Sequence, residues 1–91
     1  MNVVFIQGKV ISDVIFKCII GKRRKSISKF TLELENKSNI IIIAYDEKAD
    51  YCYQKVLKHE NVLIQGKINS NMEIEVECVY KIWKIKQIKY I

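Results

Sequence analysis

The chain of 91 residues contains no proline, three glycines, three cysteines, one histidine and one tryptophan. Without proline-rich or low-complexity tracts it has no linker composition, so it reads as a single domain. No apolar stretch approaches the roughly 18 residues that a membrane span needs. The opening residues lack the basic stretch, apolar core and small-residue cleavage site of a secretory leader, and a cytoplasmic location is the expectation. Cys18, Cys52 and Cys78 are odd in number, far apart and never in a Cys-x-x-Cys pair. That argues against a disulfide framework or a zinc site and predicts three buried, reduced thiols. There is no Ser/His/Asp or Cys/His set and no phosphate-cradling glycine loop, so no enzyme, cofactor, metal or small-molecule substrate is expected. His59 falls at the end of a helical stretch, where it favours the negative pole of the helix.

What is present is 49% hydrophobic, with a net charge of +6. The charge is unevenly spread: residues 1–29 carry +6, residues 30–80 carry −4 and residues 81–91 carry +4. A protein with one side turned to a polyanion has such asymmetry. A blander origin competes for the overall charge, since 14 lysines against two arginines, with 17 isoleucines, is the drift of an A/T-rich genome. The densest cluster is Gly21-Lys22-Arg23-Arg24-Lys25.

The stretch Val4-Phe5-Ile6-Gln7-Gly8-Lys9-Val10 recurs as Val62-Leu63-Ile64-Gln65-Gly66-Lys67-Ile68. In each copy an apolar, β-branched run meets a glycine and then a lysine. A glycine inside a strand marks a bend or bulge, and a matched pair of bent strands predicts a small closed barrel rather than a flat sheet. Residues 2–12 form the first strand pattern, and 14–20 with 26–35 form a hairpin around the charged 21–25 stretch. Phe30, Leu32 and Leu34 alternate with polar residues, the period of a half-buried strand. After a turn at 36–39, Ile40-Ile41-Ile42-Ile43-Ala44 has no alternation and is expected to be covered on both faces. Asp46 is placed to cap a helix running to about Lys58, with Ala49, Tyr53, Val56 and Leu57 on its core stripe. The last strand, beyond a turn at 69–71, predicts Met72, Ile74, Val76 and Cys78 inward against Glu73, Glu75 and Glu77 outward. Three strands, a helix and two strands give a mainly β, five-stranded OB-fold barrel with one helix between strands three and four. Residues 1–80 are the barrel domain and 81–91 its basic C-terminal extension.

Several stretches resemble the bacterial single-stranded DNA-binding protein family over residues 2–78. They are the first glycine strand, Phe30-Thr31-Leu32, the block Ile42-Ile43-Ala44-Tyr45 with Ala49 following, and the second glycine strand. The resemblance implies an OB-fold that binds single-stranded DNA largely without sequence preference, in replication, recombination or repair, as a homodimer or homotetramer. It carries over one stacking aromatic, Tyr45. Where the family has a tryptophan leading into the third strand this chain has Asn39, the long hairpin before it shrinks to 36–39, and the acidic, phenylalanine-ended tail is replaced by Lys89-Tyr90-Ile91. That resembles the short, tail-less members, among them the primosomal replication-restart proteins.

The expected DNA-binding residues are Lys22, Arg23, Arg24 and Lys25 in a loop bordering the groove, Lys9 and Lys67 after the two glycines, Tyr45 for stacking, and Trp83 with Lys84 in the basic extension. Phe30 and Tyr53 are expected in the core, and the glutamate stripes are expected to face away from phosphates. RNA binding would use this same surface, and a further reading is an assembly module whose interface is the third strand and the Ile/Lys extension.

Overall fold

The computed structural model describes residues 2–21 and 25–82. In chain order it has β1 (Val4–Val10), β2 (Ile15–Ile19), β3 (Lys25–Glu33), β4 (Asn39–Tyr45), α1 (Glu47–Lys55), β5 (Asn61–Ile68) and β6 (Ile74–Lys81). The strands are ordered β1-β5-β6-β4-β3-β2, and β1 also pairs with β3 at Lys9↔Glu33 and Val10↔Leu32. That second pairing closes five strands into a barrel, while β2 continues the first strand beyond a bend and extends the sheet past β3. Ser12 pins the bend: its hydroxyl accepts the Thr31 amide at 2.8 Å, and the Ile11 amide donates to the Thr31 carbonyl at 3.0 Å.

The two repeated strands pair with each other antiparallel. Val4 lies opposite Gly66, Ile6 opposite Ile64 and Gly8 opposite Val62, so each copy's glycine faces the other's valine about a local two-fold. Neither glycine has a positive φ. Their value is closeness: a Cβ on Gly8 would stand 2.5 Å from the Glu33 carbonyl oxygen, and one on Gly66 would collide with the carbonyl oxygen of Glu75. The sequence places a bend at Gly8, but the first strand bends at 11–14 instead, and Gly8 is where β3 crosses closely over β1. Gly66 does mark an irregularity. Gln65 pairs with Cys78 and Gly66 with Val76, leaving Glu77 as one extra residue on β6.

This bulge inverts the facing of the second half of β6, because side chains alternate with a period of two. Ile74 and Val76 point into the core before it; after it Val79 does, and Cys78 is turned to solvent rather than inward. Met72, also expected inside, sits exposed in the turn that Asn69 organises by accepting the amides of Asn71 and Glu73. The core proper is Val10, Leu32, Ile42, Val62, Ile64 and Ile74, all essentially fully buried, with Phe30 beside them as expected. Burying each such side chain contributes about 1.5–3 kcal/mol.

Helix α1 covers one end of the barrel through Ala49, Cys52 and Val56. It stops at Lys55 because Val56 is extended, which swings Leu57 to the surface instead of onto the core stripe. Tyr53 is likewise exposed, stacked on Phe16 of β2 at a ring distance of 4.7 Å. Of the three cysteines expected inside, only Cys52 is; burial pushes its thiol pKa up to about 11. Asp46 does not cap the helix with its side chain. The helix start is stapled to β3 instead: the Asp46 amide donates to the Ser26 carbonyl at 2.8 Å, the Ser26 hydroxyl reaches Asp50 at 3.1 Å, and the Ser28 hydroxyl donates to the Ala49 carbonyl at 3.1 Å. Strand β4 is covered on its core face, but on its outer face only Ile43 is buried, Ile41 and Tyr45 remaining open. No described helix is long and apolar enough to cross a membrane.

Candidate nucleic-acid interface

The alternation of β2, β3 and β4 sorts their residues into two sets. On β3, Ser26, Ser28, Phe30 and Leu32 are buried, so Lys25, Ile27, Lys29, Thr31 and, at the far end, Glu33 form the outer side. The register extends this side across its neighbours. Lys17, Ile27 and Tyr45 stand in one cross-strand row, and Ile15, Lys29 and Ile43 in the next. Ile19 pairs with Lys25 at the end of the hairpin, and Thr31 with Ile41 at the other end. With strands about 4.8 Å apart, the Lys17 and Tyr45 backbones lie about 10 Å from each other. The result is an open face with aliphatic residues in the middle, lysines around one corner and a single phenol ring. A shallow depression of ≈ 180 Å³ lined by Ile15, Lys29, Thr31 and Ile41 runs into it.

Tyr45, 42% exposed, is held in place by β3. Its backbone pairs with Ile27 of β3, and the next amide, that of Asp46, is bonded to Ser26. Lys25 lies two residues from Ile27 on the same side of β3, so it shares the corner with Tyr45 and Lys17. Lys22, Arg23 and Arg24, which join β2 to β3 at this corner, lie outside the described residues, as do Trp83 and Lys84.

Lys67 is not brought to this face, and Lys9 stands only at its far end, paired with Glu33 of β3. Both are exposed on the β1–β5 ribbon, Lys9 opposite Asn61 and Lys67 opposite Glu75, six residues of β5 apart and thus separated by about 20 Å of strand. Lys67 also faces Glu77 at 3.7 Å. Sequence reasoning passed over Lys17, Lys29 and the aliphatic rows. The signal was there in the hairpin, whose odd-numbered positions are Lys or Ile on both arms.

The corner is bounded by acids on β6. Glu73 accepts from Lys29 at 3.1 Å and from Asn69 at 3.0 Å, and the two hydrogen bonds, Asn69's first, lower its carboxyl pKa. Glu75 stands next to Ile43 in the second row. A phosphate chain crossing from β4 to β6 would meet these carboxylates, so the electrostatically open ground is β2, β3 and the end of β4.

The other side of the barrel, formed by β1, β5 and the second half of β6, has a different character. Phe5 is 65% exposed, and Leu63 and Tyr80 are cross-strand neighbours close by. Tyr80 donates to Gln65 at 3.2 Å, and its contact with Cys78 raises the phenol pKa. Among the described residues no group of three or more His, Cys, Asp or Glu has the geometry to hold a metal ion.

Solved structures share this architecture. The SSB domain of a Synechococcus sp. protein matches with a TM-score of 0.77 at 15% identity, covering 88% of this chain and 94% of that one. The second single-stranded DNA-binding protein of Mycobacterium smegmatis matches at 0.70 and 15%, covering 94% of this chain and 98% of that one. Wild-type single-stranded DNA-binding protein from Thermus aquaticus matches at 0.75 and 14%, covering 99% of this chain and 44% of that one, so this chain spans less than half of it. No family model matches the sequence, and no curated protein does. The chain is an OB-fold protein. Within that class its barrel has the shape of the SSB domains, at identities where the likeness is one of fold.

Proposed function

We propose that this protein binds single-stranded DNA, largely without base preference, on the outer face of β2, β3 and β4. The observation that carries the reading is the row Lys17, Ile27 and Tyr45 with Lys25 at its corner, at the end of a face whose acids, Glu33, Glu73 and Glu75, lie away from that row. The lysines, joined by Lys22, Arg23 and Arg24, take phosphates, and each phosphate neutralised releases counterions, giving steep salt dependence. Tyr45 stacks on a base, and Ile15, Ile27 and Ile41 pack against sugars and base faces. Support comes also from the solved neighbours, which are single-stranded DNA-binding proteins of the same fold.

The reading includes self-association into a homodimer or homotetramer, for which the exposed Phe5 and Tyr80 with half-buried Leu63 provide an apolar surface. Its setting is replication, recombination or repair in the cytoplasm. The test is a salt-titrated binding assay with oligo-dT, oligo-rU and duplex DNA. Oligo-dT bound tightest, with affinity falling steeply as salt rises, is the expected result. Preference for oligo-rU transfers the face to RNA, and no affinity for any of the three leaves an assembly module.

A further inference from the structure

The shallow depression on the outer face of β2, β3 and β4 is built differently from the corner that holds Tyr45. Its ≈ 180 Å³ are lined by Ser12, Ile15, Lys29, Phe30, Thr31 and Ile41. At about 30 Å³ for each water of the liquid, that is the space of about six waters, room for a single base rather than a whole nucleotide. Ile41 and Tyr45 stand four residues apart on β4, about 13 Å of strand, so a base seated here and a base stacked on Tyr45 belong to different nucleotides. Ile15 and Ile41, both exposed, give the depression apolar walls.

Its polar groups narrow the choice of base. Ser12 is already engaged, since its hydroxyl accepts the Thr31 amide at 2.8 Å and donates to the Asp13 carbonyl at 3.2 Å. The Thr31 hydroxyl has no hydrogen-bond partner among the described residues. Lys29 donates to Glu73 at 3.1 Å, and an ammonium carries further donors. The Glu73 carboxylate offsets the charge of Lys29 and repels a phosphate, so the depression suits the uncharged part of a nucleotide. What it offers is a pair of donors beside an aliphatic wall. Thymine carries the O4 acceptor next to its C5 methyl, whereas cytosine and adenine present an amino group at that edge. An amino group would meet the Lys29 ammonium donor to donor. Guanine and uracil bring the acceptor without the methyl.

We infer that this depression is a base subsite selective for thymine, with the C5 methyl between Ile15 and Ile41 and O4 accepting from Lys29 beside the Thr31 hydroxyl. The subsite rests on the nucleic-acid reading above and adds to it a preference at one position, for the pyrimidine of DNA over that of RNA.

Oligo-dT and oligo-dU of equal length share their sugar and differ only in that methyl. Fluorescence anisotropy at one fixed salt concentration is expected to show oligo-dT bound about fourfold tighter, the effect of burying one methyl group. Ile15→Thr with Ile41→Thr keeps both positions β-branched and is expected to bring the ratio to about one. Tyr45→Ala is expected to weaken both oligonucleotides and leave the ratio in place. If the double variant fails to fold by circular dichroism, Ile15→Thr alone, at the more exposed of the two positions, is expected to cut the ratio by about half. Equal affinity for the two oligonucleotides, or tighter oligo-dU, overturns the subsite and leaves the basic face its DNA. So does a ratio that survives the isoleucine changes, or one that disappears with Tyr45→Ala, which would put the methyl on the ring. No binding of either oligonucleotide overturns the nucleic-acid reading and the subsite together.

Discussion

The two outer faces of the barrel are made by the same rule and come out different. On β2, β3 and β4 the outward positions are Lys, Ile, Thr and one Tyr, with Glu33 and Asn39 closing the far end; on β1, β5 and late β6 they are Phe5, Gln7, Leu63, Gln65 and Tyr80, with Lys9 and Lys67 at far ends. The first face combines charge and aliphatic surface, suited to a solvated polyanion whose bases pack loosely. The second combines large apolar rings with amides, suited to another protein surface. The barrel beneath is shared, so the division of labour is written entirely in residues whose replacement leaves the core untouched. Function on such a fold belongs to the face and not to the barrel.

The largest effect is expected where both faces depend on one atom's absence. Gly66→Ala drives a methyl into the Glu75 carbonyl, and a loss of about 3 kcal/mol in urea unfolding would abolish the two faces together. Next comes removal of the basic corner. Lys17, Arg23, Arg24 and Lys25 changed to Ala are expected to weaken oligo-dT binding roughly a hundredfold at low salt and to lower the salt slope by about 3, while Phe5→Ser on the opposite face leaves the slope unchanged. If the Phe5 variant alters the slope instead, the assignment of the faces is reversed. Tyr45→Ala is expected to cost about 1–3 kcal/mol of oligo-dT binding by fluorescence anisotropy, with Tyr45→Phe close to neutral. The smallest effect belongs to the edge between faces. Glu73→Gln releases Lys29 to the basic face, with an expected gain of about twofold in affinity.

Glu73 also carries a pH signature. Its carboxyl is held below the ordinary carboxylate range by Asn69 and Lys29. Its ionised form therefore favours the fold at pH above that range, and the contribution fades as pH falls through the lowered value. An NMR titration of the Glu73 side chain reads this directly, and a carboxyl titrating at its ordinary value would remove Asn69 and Lys29 as its partners.

Much of the barrel was legible because strands announce themselves by period. Phe30 and Leu32 alternate, the glycine strands repeat, and the helix sits between aliphatic runs. The misplacements arise where tertiary contacts decide. Nothing in the sequence says that Val56 leaves the helix, which turns Leu57 outward, or that hydrogen bonds from Ser26 and Ser28, rather than an Asp46 side-chain cap, fix the helix start on β3. Cys52 and Tyr53 both suit a core stripe, and only the position of Phe16 on β2 decides which of them is covered. At the candidate interface, Lys25 and Tyr45 were readable from the hairpin and the family resemblance. Lys17 was missed although the alternation of Ile15, Lys17 and Ile19 placed it on one side of the strand, because only the pairing with Ile27 shows that this side continues to Tyr45. Lys9 and Lys67 were grouped with the others because they follow matching glycines, but equal neighbours in sequence part in the fold: Lys9 ends beside Glu33 at the far end of β3, and Lys67 beside Glu75 and Glu77.

Glu77 sets the border between the two surfaces. One surplus residue works on β6 as a frame change works on a message: the letters before it are read toward the acids beside Lys29, the letters after it toward Tyr80 and the opposite side. Sliding that surplus two positions toward the C-terminus would move the frontier along the strand and exchange Val79 for Cys78 on the inner side. A lineage of such barrels thus has a way to trade ground between its two surfaces by insertion and deletion alone.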